Sequence, residues 1–299
     1  MNRLPLVSIL TLNYNSVDDT LELLGSIYKG SYTNFEIILV DNDSEHFDTG
    51  KILEKYPEVK IVESHKNLGF AGGNNFGLPS CSGEYILFLN NDTIVAPTCL
   101  ETLINTIASL DKFGAISPKF HYYHTPKLIE YAGCPRIDIF TARTEIIGSR
   151  KFDDGNYEGL IETAYAHGGG MLVPRTVIND VGEMFEGFFL YYEELDWSER
   201  MNKAGYKIYC QRNALVYHKE SASVGRSSPL KVYYMNRSRL LFMRRNFGGI
   251  NLMFFYLYFT LVSFPKNVLK FLFFGKRGHL NAYIRSILWQ FDSRFEFID

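Results

Sequence analysis

The chain has 299 residues, 46% hydrophobic and 21% charged, with a net charge of −2. That composition excludes a disordered chain, and the length suits one large domain or a domain with an appendage. Its four cysteines, Cys81, Cys99, Cys134 and Cys210, show no CxxC pair and no metal-ligand spacing, so they read as reduced core thiols, not as a disulfide framework.

Residues 1–5 are too short for a signal peptide, so the body is expected to be cytoplasmic. Three apolar segments follow the same plan. Residues 7–12 run into Asn13, Tyr14 and Asn15; residues 35–40 into Asp41, Asn42 and Asp43; residues 85–89 into Asn90, Asn91 and Asp92. Apolar runs of this length read as buried strands, and together they suggest a parallel sheet with ligand groups along its carboxyl edge. Between them, Ser16 or Asp18 caps a helix through Leu21, Leu24 and Ile27 that ends near Gly30. Residues 51–56 form a second helix that Pro57 stops, and residues 59–63 a short strand. The result is a β-α-β-α-β half.

Residues 67–77, NLGFAGGNNFG, allow close backbone approach and positive φ. A flexible turn before a helix is the plain reading; a segment that holds ligand groups at the sheet edge is the favoured one. It is no dinucleotide fingerprint, because no GxGxxG follows the first strand. Residues 98–112 read as a helix. From 117 to 156 the pattern is irregular, with His121, Tyr122, Tyr123 and His124 in loops. A second glycine cluster, Gly168 to Gly170, precedes a strand. Residues 193–204 are helical, with Leu195, Ser198 and Met201 on one face and Gly205 as terminator. Its first-turn carboxylates, Glu193, Glu194 and Asp196, match the helix dipole and are expected to stay ionised. As structure alone, they are ordinary N-terminal helix charges. Residues 206–209 and 214–217 read as two strands, the second ending at His218.

The tail has a different character. From Arg226 to Arg285 there are eleven Lys and Arg and no Asp or Glu, whereas residues 1–225 hold 19 basic and 30 acidic residues. A basic, aromatic-rich tail on an acidic body favours an anionic membrane surface over nucleic acid, for which no recognition motif is present. Residues 246–265 carry no charge, near the ~20 residues that cross a bilayer, but Asn246, Gly248, Gly249 and Asn251 interrupt them. In-plane or re-entrant helices on anionic lipid are favoured over a spanning helix. A helical hairpin packed on the body is the third option.

These motifs resemble, in order and over residues 7 to about 225, the inverting family-2 glycosyltransferases of GT-A fold and, within them, a rhamnosyltransferase-like branch. The matching stretches are ILTLNYNS at 9–16, LVDNDS at 39–44, residues 67–77, LFLNNDT at 87–93, GFFLYYEELD at 187–196, KAGYK at 203–207 and VYH at 216–218. The fold implied is α/β, a nucleotide-diphospho-sugar transferase fold with a mostly parallel central sheet. Residues 1–225 would be the catalytic domain and 226–299 a helical, membrane-associating extension.

The resemblance also implies roles. Asp41 matches the position that binds the pyrimidine, selecting UDP- or dTDP-sugars whose N3–H meets a fixed carboxylate. Tyr14 would stack on the base. Asn13, Asn15, Asn42, Asn91, Gly69, Gly73, Asn74 and Asn75 complete the nucleotide set. Asp92 matches the last acid of the DxD metal motif; with His218 and Asn90 it would hold a divalent cation, Mn²⁺ or Mg²⁺. Asn90 stands where many relatives carry Asp. Glu194 aligns with the catalytic base, commonly Asp. Glu193, Asp196, Trp197, Gly169 and Gly170 fall in the sugar and acceptor region. No QxxRW is present, which favours transfer of a single sugar, rhamnose among the candidates.

The implied activity is metal-dependent inverting transfer to a saccharide acceptor, lipid-linked, at the inner face of the membrane in cell-surface polysaccharide synthesis. The departures at Asn90 and Glu194 leave open an inactive sugar-nucleotide-binding or scaffold protein. A nucleotidyltransferase with a similar sheet would need a Gly-rich loop after the first strand, which is missing.

Overall fold

The computed structural model describes residues 4–219, 228–292 and 294. Its first half follows the expected order. Strands β1 (Val7–Asn13), β2 (Phe35–Asp41), β3 (Lys60–Glu63) and β4 (Tyr85–Asn90) pair in parallel, in spatial order β3-β2-β1-β4. Helices α1 (Val17–Ile27), α2 (Thr49–Leu53) and α3 (Gly69–Gly77) make the crossovers. The register sets Asn13 beside Asp41 and Leu12 beside Asn90, so the polar triplets share one edge.

The glycine-rich segment is not a loop. It is helix α3 lying close on the sheet, and its glycines serve that contact. A Cβ on Gly77 would stand 2.5 Å from Leu10 Cδ1 and 2.6 Å from Val40 Cγ2; one on Gly73 would stand 2.5 Å from Leu12 Cδ1.

The second half mixes directions. After β5 (Thr93–Val95) and α4 (Cys99–Ile107) come β6 (Phe113–Tyr122), β7 (Ile129–Tyr131), β8 (Leu160–Thr163) and β9 (Gly170–Pro174). Then follow α5 (Arg175–Val181), α6 (Glu193–Lys203) and β10 (Lys207–His218). β9 runs antiparallel to β4 and β6, β10 parallel to β6, and β5 antiparallel to the end of β10. The sheet therefore continues β4-β9-β6-β10-β5.

Two sequence expectations are revised here. Residues 113–122, read mainly as irregular, form a buried strand. Lys119 and His121 hid it, and both are compensated by Asp153, at 2.5 and 3.0 Å. The two strands expected at 206–217 are one strand, with a register shift between Gln211 and Leu215.

The tail folds onto this body as α7 (Pro229–Asn246), α8 (Gly249–Tyr258), α9 (Phe264–Phe273) and α10 (Arg277–Leu288). The boundary expected at 225/226 lies outside the described residues. Leu240, Phe242, Met243, Phe255, Phe259, Phe271 and Tyr283 belong to the same apolar core as Phe188 and Tyr192 of the body. α8 and α9, joined by a π-helical turn over 259–263, make one 25-residue helix of mean hydropathy 1.3, mostly outside the core. By length and composition alone it could cross a membrane.

The α3 contact yields a stability test. Gly77→Ala gains about 1 kcal/mol of helix propensity but overpacks the sheet at a cost of about 1–3 kcal/mol. The urea midpoint of the variant is expected to fall with an unchanged m-value; an equal or higher midpoint would contradict the packing role.

Candidate active site

The register that closes the sheet also builds the centre of the site. Thr93 of β5 pairs with His218 of β10, and the Lys219 N–H donates to the Asp92 carbonyl at 2.9 Å. Asp92 and His218 thereby meet, with Nε2 3.1 Å from Asp92 Oδ1. The other ring nitrogen, Nδ1, is held by Glu130 of β7 at 2.9 and 3.0 Å. Burial by itself would lower the His218 pKa, but the two carboxylates outweigh it and push it up to about 10. The ring is clamped between two acids, Nε2 toward Asp92 and Nδ1 toward Glu130.

His167 lies against the same group, its Nε2 3.8 Å from Glu130 Oε1 and its ring centroid 6.1 Å from that of His218. Burial drives its pKa down to about 4, so it stays neutral. The next residue, Gly168, touches Glu194: a Cβ built there would stand 3.5 Å from the Glu194 carboxyl carbon. His218 lines one depression, of about 340 Å³, with Tyr122, Tyr123 and Lys219. Glu194 lines another, of about 440 Å³, with Ala142, Arg143, Asn236 and Arg239. His167 lies beside His218 and the next residue, Gly168, beside Glu194, so one short segment borders both side chains.

Glu194 and Glu193 correct an expectation. They stand in the first turn of α6, where the helix dipole and backbone N–H groups favour the ionised form. Burial wins at both. It pushes Glu194 up to about 7 against hydrogen bonds from the backbone of Glu194 and Leu195. Glu193 is likewise held well above its ordinary value by burial and the adjacent Glu194, and its Oε2 has no hydrogen-bond partner. The turn leading into them is strained, with Phe189, Tyr191 and Tyr192 at φ of 60, 66 and 73°. Such backbone persists only where surrounding contacts fix it. Here the Tyr192 hydroxyl donates to the Ala142 carbonyl at 2.9 Å, and the Ser238 hydroxyl to the Leu190 carbonyl at 2.9 Å.

Asp41 is buried at the end of β2 and accepts from the Asn13 amide (2.9 Å), the Ser44 hydroxyl (2.6 Å) and the Ser44 N–H (3.1 Å). Three donors fill three of the roughly four acceptor positions of a carboxylate, which leaves one. Tyr14 is exposed beside it. Asn15, at φ 53°, accepts from the Glu45 N–H at 2.8 Å.

Several residues expected to touch ligand hold hydrogen bonds and packing contacts within the protein. Asn13 is fully buried, its carbonyl accepting from Thr20 and Asn91. The Asn91 amide is shared among Asn13, Ser16 and Thr20. Asn42 fastens the turn before α3 through the Leu68 N–H at 2.9 Å and the Gly69 carbonyl at 3.2 Å. Asn74 bonds back to Phe70, and Asn75 ties α3 to Met184 and Glu186. Gly69, at φ +70°, and Gly73 provide close packing.

Asp196 is a buried anchor, bound by Arg200 (3.2 Å), Arg245 (3.1 Å) and Asn246 (2.7 Å), and Trp197 is core, its indole N–H donating to Gly182. Gly169 and Gly170 pass under the His167 and Phe120 rings, where a Cβ would come to 3.0 and 2.8 Å. Asn90 is half-buried, with its main chain tied to Gly169 and Thr93. Glu130, His167 and Arg239 escaped the sequence reading, since none sits in a recognisable motif.

Among the described residues no group of three or more His, Cys, Asp or Glu side chains is arranged to hold a metal ion. Asp92 and His218 nevertheless fit a divalent cation bound with a diphosphate, provided that the cation displaces the proton on His218 Nε2 when it binds. Such ions take one or two protein ligands and fill the rest from phosphate and water. Glu130 on Nδ1 is the kind of outer partner that fixes the tautomer of a ligating histidine.

A parallel half-sheet with a polar carboxyl edge, continued by a mixed half, defines the GT-A fold, and the comparisons agree. The model of "Glycosyl transferase family 2" matches residues 8–182, more than half of the chain. The chain belongs to that family and is a glycosyltransferase. It is 26% identical over 245 residues to the low-salt glycan biosynthesis hexosyltransferase Agl10 of Haloferax volcanii, covering 79% of this chain and 74% of that one. It is 21% identical over 269 residues to the N-acetylglucosaminyl-diphospho-decaprenol L-rhamnosyltransferase of Mycobacterium tuberculosis, covering 82% and 85%. Among solved structures, GalNAc-T7 with UDP, GalNAc and Mn²⁺ superposes with a TM-score of 0.62 at 16% identity, over 81% of this chain and 48% of that one.

The protonation of Glu194 gives a pH prediction. Its carboxyl binds a proton more tightly folded than unfolded, so its contribution to stability falls as pH rises from about 4.5 to about 7. Glu194→Gln is expected to flatten that fall by about 1–2 kcal/mol between pH 5 and pH 7.5, after discounting for partial exposure. Denaturant midpoints at the two pH values measure it; an unchanged difference would contradict a half-buried, neutral-leaning Glu194.

Proposed function

We propose that this glycosyltransferase transfers one sugar with inversion from a UDP- or dTDP-sugar to a lipid-linked saccharide acceptor at a membrane surface, in glycan biosynthesis. The observation that carries the reading is the placement of His218, with Asp92, beside His167 and of Glu194 beside Gly168. It sets a diphosphate-facing group and a carboxyl of raised pKa on two sides of one narrow segment.

Each role follows from placement. The remaining acceptor position on Asp41 suits the N3–H of uracil or thymine, and Tyr14 offers a ring face to stack on the base. Asp92 and His218 would hold the divalent cation, which supplies positive charge for the leaving diphosphate. Glu194, at about 7, is matched to work near neutrality as a general base. Its carboxylate takes the proton of the acceptor hydroxyl while the hydroxyl oxygen bonds to the anomeric carbon and the bond to the diphosphate breaks on the opposite face. Gly168 leaves room at Glu194 for an incoming hydroxyl. The basic, exposed helix pair after Gly249 supports docking on anionic lipid, with its apolar face in the headgroup boundary. Rhamnose stays among the candidate sugars on the strength of the Mycobacterium relative's name.

Release of UDP from UDP-sugars, or dTDP from dTDP-sugars, in the presence of Mn²⁺ tests the assignment. Asp92→Ala is expected to abolish turnover, and Glu194→Gln to lower kcat by about 10²–10⁴-fold, the usual worth of a general base. In the wild type, kcat/KM should rise through a pKa near 7. Turnover within a few-fold of wild type in either variant would remove that residue from its role. An intact enzyme that binds donor but never releases nucleotide would favour the inactive scaffold.

A further inference from the structure

Among the described residues, no carboxylate stands beside the buried guanidinium of Arg239. Arg239 of α7 is 3% exposed, yet its Nε and Nη1 have no hydrogen-bond partner. Its nearest attractive neighbours are aromatic: the guanidinium lies 5.7 and 5.8 Å from the ring centroids of Phe255 and Phe259. Burial pulls its pKa down, the tyrosine Tyr192 opposes this, and a second guanidinium, Arg143, adds to it. Two guanidiniums thus repel each other here, and among the described residues neither is paired with a carboxylate. Leaving a buried charge unpaired costs several kcal/mol, so such an arrangement is expected only where something supplies the missing charge.

Both arginines line the 440 Å³ pocket that Glu194 also lines. The walls are the 137–144 turn on one side and α7 on the other, with Met235 and Asn236 completing the second wall. Arg239 packs on the buried rings of Phe255 and Phe259, and the helix that carries them exposes Leu257, Leu261, Leu269 and Phe273 on its outer side. Phe140, from the turn that carries Arg143, lies against Phe254 of the same helix, the rings tilted and their centroids 5.6 Å apart. Glu194 and the two guanidiniums thus share one pocket, and the helix with the exposed apolar face packs against its wall.

We propose that Arg143 and Arg239 bind the phosphoryl group of the acceptor, so that the acceptor is a saccharide joined through phosphate or diphosphate, with its sugar toward Glu194 and any apolar tail along α8 and α9. This rests on the reading of the Glu194 pocket as the acceptor side. Guanidinium groups suit a phosphoryl oxygen pair because each presents a planar fork of donors. A neutral acceptor would leave Arg239 uncompensated, which selects against it.

The test is equilibrium binding to the full-length protein, with its donor site saturated by UDP and Mn²⁺, of three probes: farnesyl diphosphate, inorganic pyrophosphate and farnesol. Farnesyl diphosphate is expected to bind and farnesol to bind at least about tenfold more weakly. Arg239→Gln should weaken farnesyl diphosphate about tenfold or more, and Arg143→Gln, on an exposed turn, by a smaller factor. Pyrophosphate binding as tightly as farnesyl diphosphate would support the phosphoryl site with a water-soluble source; much weaker pyrophosphate binding would support a lipid source.

Unchanged affinity in both arginine variants, or farnesol binding as well as its diphosphate, would overturn the proposal. Thermal unfolding adds a readout that a structural arginine would move the other way. Removing an uncompensated buried cation should leave the Tm of Arg239→Gln equal to or above wild type without ligand, whereas a packing role predicts a clear loss. Should Arg239→Gln not fold, that outcome also counts against the proposal, and Arg143→Gln still reports on binding. No probe requires turnover, so an inactive Glu194 would sink the enzymatic reading without touching this one.

Discussion

The pairing of a three-residue strand with the end of a twelve-residue one decides the chemistry of this molecule. β5 and β10 are far apart in the chain, and their antiparallel register sets Thr93 against His218 and draws the Lys219 N–H to the Asp92 carbonyl. Lys219 then reaches α1, with Nζ 2.6 Å from Asp19 and 2.9 Å from Glu22. The edge of the parallel half-sheet is thereby sewn to the last strand of the mixed half. A one-residue slip would turn His218 to the opposite face of the sheet. The clamp on its ring, Asp92 on one nitrogen and Glu130 on the other, would go with it.

A second constraint comes from the C-terminal helices, which act as part of the site. The strained turn at 189–192 aims α6, and α7 helps to hold it: Ser238 bonds to Leu190, Phe189 stacks on Tyr234 at 4.9 Å, and Arg245 and Asn246 grip Asp196. Strain of about 1–3 kcal/mol per left-handed residue is sustained only by contacts of this kind. The raised pKa of Glu194 depends on the same packing, because burial and not the helix dipole sets it. The segment that carries the exposed apolar helix is therefore also the segment that keeps the candidate base half-buried.

Much of the fold was legible in the residues. Three apolar runs ending in polar triplets stated the parallel half-sheet and its edge, and Gly205, at φ +84°, ended α6 where expected. Less legible was the second duty of the polar and glycine-rich positions at that edge. Asn13, Asn42, Asn75 and Asn91 are spent on satisfying buried backbone and side-chain groups, a requirement that no local pattern reveals. The glycines of α3 answer to Leu10, Leu12 and Val40, which are distant in sequence. Strand β6 escaped because its Lys119 and His121 are neutralised by Asp153, on a different segment. Glu130 and Arg239 could not be found by motif: one acts through a histidine and the other is marked only by what it lacks.

The account stands on Asp92, His218 and Glu194 flanking a single reacting centre. A crystal structure with UDP and Mn²⁺, read by the anomalous signal of the metal, examines that arrangement most directly. The expected result is a peak in contact with Asp92 and His218, a uracil against Asp41 and Tyr14, and a diphosphate whose free end points toward Gly168 and Glu194. Manganese bound elsewhere, or a nucleotide whose diphosphate turns away from Glu194, would contradict it.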